Sequence, residues 1–126
     1  MSNICTNESL LALATAVYLS ILGKNGFRKL GEVNLTNSHY AAEMIGELKQ
    51  VNSPLFEGPF FGDFTMGYKR RKAPEVFAEL GKRGVMAGYP LTRHSSQIGE
   101  AGAYCVTEVH SSEDIGRLVA ALGEVA

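Results

Sequence analysis

The run Phe60-Phe61-Gly62-Asp63-Phe64-Thr65-Met66-Gly67-Tyr68 changes the period of the chain. Phe60, Gly62, Phe64, Met66 and Tyr68 alternate with Asp63, Thr65 and Gly67. Period two predicts a strand with one buried face, because successive side chains of an extended chain point to opposite sides. Just before it, Leu55-Phe56 ahead of Gly58-Pro59 suggests a short leading strand.

Upstream the period is helical. Leu10, Leu13 or Ala14, Val17 and Ile21 form one row, with Leu11, Tyr18 and Leu22 beside it. An apolar surface this wide predicts a helix packed on more than one side. Thr6 or Asn7 is placed to cap it, Glu8 suits the positive end of its dipole, and Gly23 ends it. A second helix is predicted from Phe27 to about Gln50, with Leu30, Ala41, Ile45 and Leu48 as its stripe. Gly31 and Gly46 weaken it, and Asn34, Asn37, Ser38 and His39 make its middle polar, suiting exposure or contact with another chain.

Downstream, Ala73-Pro74 opens a helix with Val76, Phe77 and Leu80 inward and Gly84 at its close. Val85-Met86-Ala87 reads as a short strand, 88–102 as a loop, and 103–109 as a strand. Ser111 or Ser112 caps a last helix, with Glu113 and Asp114 in its first turn and Ile115, Leu118, Val119 and Leu122 inward. The predicted order is helix, helix, strand, strand, helix, strand, strand, helix. The economical architecture is α+β, two layers, with helices packed on one face of a small, mostly antiparallel sheet.

At 126 residues the chain is the size of one domain. A formal net charge of −1, with 45% hydrophobic and 20% charged residues, argues against nucleic acid or an anionic membrane surface as partner. The longest apolar run, Leu10 to Leu22, is at about 13 residues too short to span a bilayer. No basic region precedes it, so it is not a secretory signal, and a cytoplasmic location is expected. Cys5 and Cys105 make no disulfide framework and read as reduced core thiols.

The chemistry-bearing residues are sparse. His39, His94 and His110 are widely separated and lack ligand spacing, so no metal site is expected. Cys105 lies mid-strand and Cys5 adjoins a helix start, where a thiolate gains some stability, but neither makes a persuasive nucleophile. Lys69-Arg70-Arg71-Lys72 reads as a solvated loop, and Gly58-Pro59-Phe60-Phe61-Gly62 lacks the spacing of a phosphate loop. The loop Gly88-Tyr89-Pro90-Leu91-Thr92-Arg93-His94 is the richest segment, with Arg93 able to grip a carboxylate through two N–H groups.

Several blocks then carry a resemblance. They are Ser2-Asn3-Ile4-Cys5-Thr6-Asn7 with residues 10–19, Leu22-Gly23-Lys24-Asn25-Gly26-Phe27, Asn34-Leu35 with His39-Tyr40-Ala41, and Gly58-Pro59-Phe60-Phe61. Residues 83–91 and Val106-Thr107-Glu108 continue the series. In this order they resemble the C-terminal domain of glycine dehydrogenase (decarboxylating) subunit 1, in the P-protein family of the glycine cleavage system.

The resemblance implies the small C-terminal domain of a fold type I pyridoxal phosphate enzyme, residues 1–126 forming that one domain of a longer subunit. It implies a parent enzyme that decarboxylates glycine on pyridoxal phosphate and passes the aminomethyl group to the lipoyl arm of the H-protein. The implied partners are the remainder of subunit 1, subunit 2, which holds the cofactor lysine, and lipoylated H-protein. Self-association through an exposed apolar helix is a further expectation. None of Lys24, Lys29, Lys49, Lys69, Lys72 or Lys82 matches a cofactor-lysine context, so the chain alone is expected to bind no cofactor and to be inactive. Asn3 and Thr6 are expected cofactor contacts in the assembled enzyme, and Arg93 a substrate contact. The loop 88–94 is expected beside Thr107-Glu108 at one end of the sheet. The rival readings are a free-standing assembly or regulatory module, and the small domain of another pyridoxal phosphate enzyme such as an aminotransferase. The latter would favour a substrate-gripping arginine in the strand 103–109, which holds none.

Overall fold

The computed structural model describes residues 8–92 and 97–126. It divides into two compact units, Met1–Glu32 and Val33–Ala126. The first helix, α1, spans Ser9–Gly46 with a break at Gly23, where φ is 59° and ψ −175°. Glycine meets a left-handed φ without the Cβ clash other residues suffer, so it ends the first helical stretch as expected. The helix then resumes and stops at Gly46, four residues short of the predicted end.

In the first unit none of the described residues is buried. Leu10 is 77% and Ile21 80% exposed, so the predicted packing on several sides is not found among the described residues of this unit. By length and composition alone the whole of α1 is long and apolar enough to cross a membrane. Its helical stretch before Gly23 rises only about 21 Å at 1.5 Å per residue, short of a hydrocarbon core about 30 Å thick.

The second unit is α+β. β1 (Val51–Asn52), β2 (Asp63–Tyr68), β3 (Tyr89–Pro90) and β4 (Ala101–Cys105) form one antiparallel sheet in the order β1-β2-β4-β3. Helices α2 (Ala73–Lys82) and α3 (Ser112–Val125) and the end of α1 supply the remaining core. Ile45, Val51, Met66, Val76, Leu80 and Leu122 are fully buried. Phe64, Met66 and Tyr68 face inward as the alternation predicts. Gly67 is buried too, because the Leu55 side chain lies over it, 3.0 Å from where a Cβ would stand. On α3, Ile115 and Leu122 are buried and Leu118 and Val119 half-buried. Ser111 caps that helix through a reciprocal box, its hydroxyl accepting from Asp114 N–H while the Asp114 carboxylate accepts from Ser111 N–H.

All four strands differ from expectation at one or both ends, each for a local reason. β2 starts at Asp63 because Phe60 and Phe61 turn their carbonyls to side chains of α1 instead of to a neighbouring strand. The leading strand is Val51–Asn52; Leu55 makes one bond, its N–H donating to Thr65 O at 2.6 Å, and the adjacent Pro54 has no N–H to give. Residues 85–87 form no strand, since Gly88 at φ 66° turns the chain out of the extended run and β3 begins after it. β4 starts two residues earlier and ends at Cys105, where its partner β2 begins and a turn closes, His110 N–H donating to Thr107 O.

Candidate functional site

The polar middle of α1 meets loops of its own chain. Ser38 Oγ donates to Phe61 O at 2.5 Å, and the His39 ring stacks on Phe60 at 4.1 Å with Nε2 3.1 Å from Phe60 O. Asn37 Nδ2 donates to the carbonyls of Thr107 and His110, at 3.2 and 3.1 Å. Three of the quoted blocks therefore converge at one end of the sheet, where Val106 N–H also donates to Gly62 O. These carbonyls lie beyond the strand ladder, and a buried carbonyl left unpaired is costly, which explains polar residues on an otherwise apolar helix face. Asn34 Oδ1 is buried there on α1 with no partner among the described residues.

A cleft of about 220 Å³ opens beside this end, between residues 84–88, the end of β4 and the first turns of α3. Its walls carry Tyr104, His110, Asp114 and Arg117 among apolar side chains. Thr107 N–H donates to His110 Nδ1 at 3.0 Å, so in the neutral ring the proton sits on Nε2. Behind the cleft the hydroxyls of Tyr68 and Tyr104 lie 2.5 Å apart in the core. Burial pushes the Tyr68 hydroxyl up to about 12 and Tyr104 higher still, so both stay protonated and act as a structural pair.

The sequence-named residues fare unevenly. Asn3, Thr6 and Arg93, with Cys5 and His94, lie outside the described residues. Cys105 corrects the core-thiol reading: it alternates outward between the buried Tyr104 and Val106 and is exposed. A hydrogen bond with Asp63, across the β2 register, is the main force raising its thiol, the opposite of what a nucleophile needs. The basic run is not wholly solvated, since Arg71 donates to the Val125 carbonyl at the end of α3 at 2.9 Å. The expected adjacency of the 88–94 loop and Thr107-Glu108 is not seen in the described part of the loop, residues 88–92, which runs along β4 instead. A Cβ on Gly88 would stand 3.4 Å from the Tyr104 ring, whereas Leu91 N–H donates to Ala101 O and Thr92 Oγ1 to Glu100, at the opposite end of β4. The antiparallel register carries the loop away from Thr107. From the sequence His110 reads only as a candidate metal ligand, and Arg117 gives no signal, because a cation on an exposed helix face looks like any solvated one.

The described residues by themselves do not fit pyridoxal phosphate. The cofactor needs an amine in an enclosed site, a phosphate cradle and a partner for its ring nitrogen. All six candidate lysines, Lys24, Lys29, Lys49, Lys69, Lys72 and Lys82, are exposed. Among the described residues no group of three His, Cys, Asp or Glu side chains is placed to hold a metal ion.

Residues 1–122 match the family model described as glycine cleavage system P-protein. A probable glycine dehydrogenase (decarboxylating) subunit 1 from Desulfitobacterium hafniense is 42% identical over 125 residues, covering 98% of this chain and 27% of that protein. One from Aeropyrum pernix is 42% identical over 130 residues, covering 98% and 26%. The crystal structure of an inhibitor-bound glycine decarboxylase (P-protein) of the glycine cleavage system superposes with a TM-score of 0.84 at 30% identity, covering 99% of this chain and 28% of that one. A C-DES mutant with glycine covalently linked to its PLP cofactor shares the fold, with a TM-score of 0.65 at 12% identity over 79% of this chain and 24% of its own. The chain thus spans about a quarter of the length of the relatives it matches. With the family model covering nearly every residue and the fold agreeing, the chain belongs to the glycine cleavage system P-protein family.

Proposed function

We propose that residues 1–126 serve as the small domain of a glycine-decarboxylating P-protein and carry no catalysis alone. The observation that supports this is 42% identity over 98% of the chain to a subunit 1 protein. In the parent enzyme, pyridoxal phosphate supplies the electron sink for glycine decarboxylation. The aminomethyl group then passes to the lipoyl arm of the H-protein. The proposed partners are the remainder of subunit 1, subunit 2 and lipoylated H-protein, and the proposed location is the cytoplasm. The solvent-facing apolar side chains of residues 10–21 suit burial against such a protein partner, and self-association in its absence. Within the assembly, Arg93 is proposed to contact a substrate carboxylate, and Asn3 and Thr6 to contact the cofactor.

The test is glycine-dependent exchange of labelled bicarbonate. The chain alone is expected to give none, and the assembled two-subunit enzyme to give it. Arg93→Ala in that enzyme is expected to lower turnover while shifting the chain's stability by no more than about 0.5 kcal/mol. Turnover by the isolated chain would overturn the reading; full activity of the variant would remove Arg93 from the site.

A further inference from the structure

We propose that the cleft beside β4 binds a small carboxylate carrying an apolar tail. The inference stands on the cleft alone and is independent of glycine chemistry. Its apolar wall is built by Val85, Ala87, Val106, Ile115 and Leu118. Its polar side carries His110 and Arg117. The His110 Nδ1 is occupied by the Thr107 N–H, which leaves Nε2–H as the donor. Arg117 is always charged and presents several N–H donors in a planar fork; its charge, with His110, acts on the Asp114 carboxylate without a close salt bridge to it among the described residues. The one carboxylate in the lining, Asp114, has Oδ2 engaged by the Ser111 N–H and hydroxyl, at 2.9 and 2.6 Å.

Two further observations set the class of ligand. The volume, about 220 Å³, falls below the roughly 300 Å³ at which drug-sized sites begin, so a nucleotide does not fit and a compact acid does. At the rim Met86 is 98% exposed. An unbranched thioether left in solvent beside an apolar wall is a side chain suited to fold over an apolar ligand. An apolar lining, two donor side chains within it and an exposed flexible apolar side chain together suit a carboxylate head with an aliphatic tail.

The experiment follows backbone amide and His110 ring resonances of the 126-residue chain during titration with isovalerate. Formate (head without tail), isoamyl alcohol (tail without charge) and inorganic phosphate serve as comparison probes. Isovalerate is expected to give saturable shifts confined to residues 84–88, 104–106, 110 and 117. The other three are expected to bind at least about tenfold more weakly, the scale of one charge-assisted hydrogen bond or one buried methyl group or two. Arg117→Gln is expected to weaken isovalerate by about tenfold or more while leaving amide shifts outside the cleft unchanged, and Arg117→Lys to restore part of the loss. Absence of saturable shifts, shifts centred elsewhere, alcohol or phosphate binding as tightly as isovalerate, or an Arg117→Gln variant that binds undiminished would each overturn the proposal.

Discussion

Leu10 and Leu122 are the same residue on helices of one chain, yet one is 77% exposed and the other fully buried. The difference lies in the helices. On α3 the apolar residues occupy one stripe, and the sheet and α2 lie against it. On residues 9–22 apolar side chains run round the whole circumference, and none of them is buried. A helix apolar on all sides belongs inside something larger. The first unit thus presents surface for burial, while the second already holds a core.

Paired substitutions can break or sharpen that contrast. Leu122→Ala should cost about 2 to 5 kcal/mol, the cost of losing a fully buried leucine and leaving a cavity, while Leu10→Ala should stay within about 0.5 kcal/mol. Urea unfolding monitored by circular dichroism measures both, and equal costs would erase the distinction. Glycines give the second pair. Gly23 and Gly88 both have positive φ, 59° and 66°, but a Cβ at Gly23 meets nothing while one at Gly88 would stand 2.1 Å from Ala103 O. Gly23→Ala should cost about 1 kcal/mol of left-handed strain, and Gly88→Ala more than about 2 kcal/mol because the clash adds to it.

Tyrosines give the third pair. Tyr68→Phe strands the buried Tyr104 hydroxyl and should cost about 1 to 3 kcal/mol, whereas Tyr18→Phe, at a half-exposed site, should change little. The pH dependence has a definite sign. Burial raises the folded Tyr68 hydroxyl from 10.0 to about 12. Between those values the unfolded chain releases a proton that the folded chain keeps, so stability is intact below pH 10 and falls as pH rises through about 12. Tyr68→Phe should flatten that loss, and an unchanged alkaline profile would count against the buried pair. The smallest effect on stability belongs to Ile21→Ser, within about 0.5 kcal/mol. Its effect should instead appear as reduced self-association in sedimentation, since it removes a large exposed apolar group.

Much of the second unit was legible because it follows rules of short range. The alternation through Phe64, Met66 and Tyr68 named the buried face of β2, and Ser111 with Asp114 named the start of α3. The Gly23 break was equally plain. What failed were features that depend on a distant partner. Ser38 and His39 hold Phe60 and Phe61 out of the strand from more than twenty positions away, and no local pattern encodes that. Cys105 looked like a core thiol, but whether a strand residue points in or out depends on the register with Asp63. His110 and Arg117 line one cleft because the short connection 106–111 brings the start of α3 back beside the end of β4.

The sequence by itself therefore determined the element types and order, the apolar faces, the Ser111 cap, the Gly23 break and the family. Each is written in side-chain period, backbone freedom or a run of residue identities. Tertiary structure alone decided the strand ends, the hydrogen-bond partners of the polar stretch Asn37 to His39, and the separation of the 88–92 segment's far end from Thr107. It also decided the cleft, because these depend on which segments pair across long loops, and pairing is settled by the whole core at once.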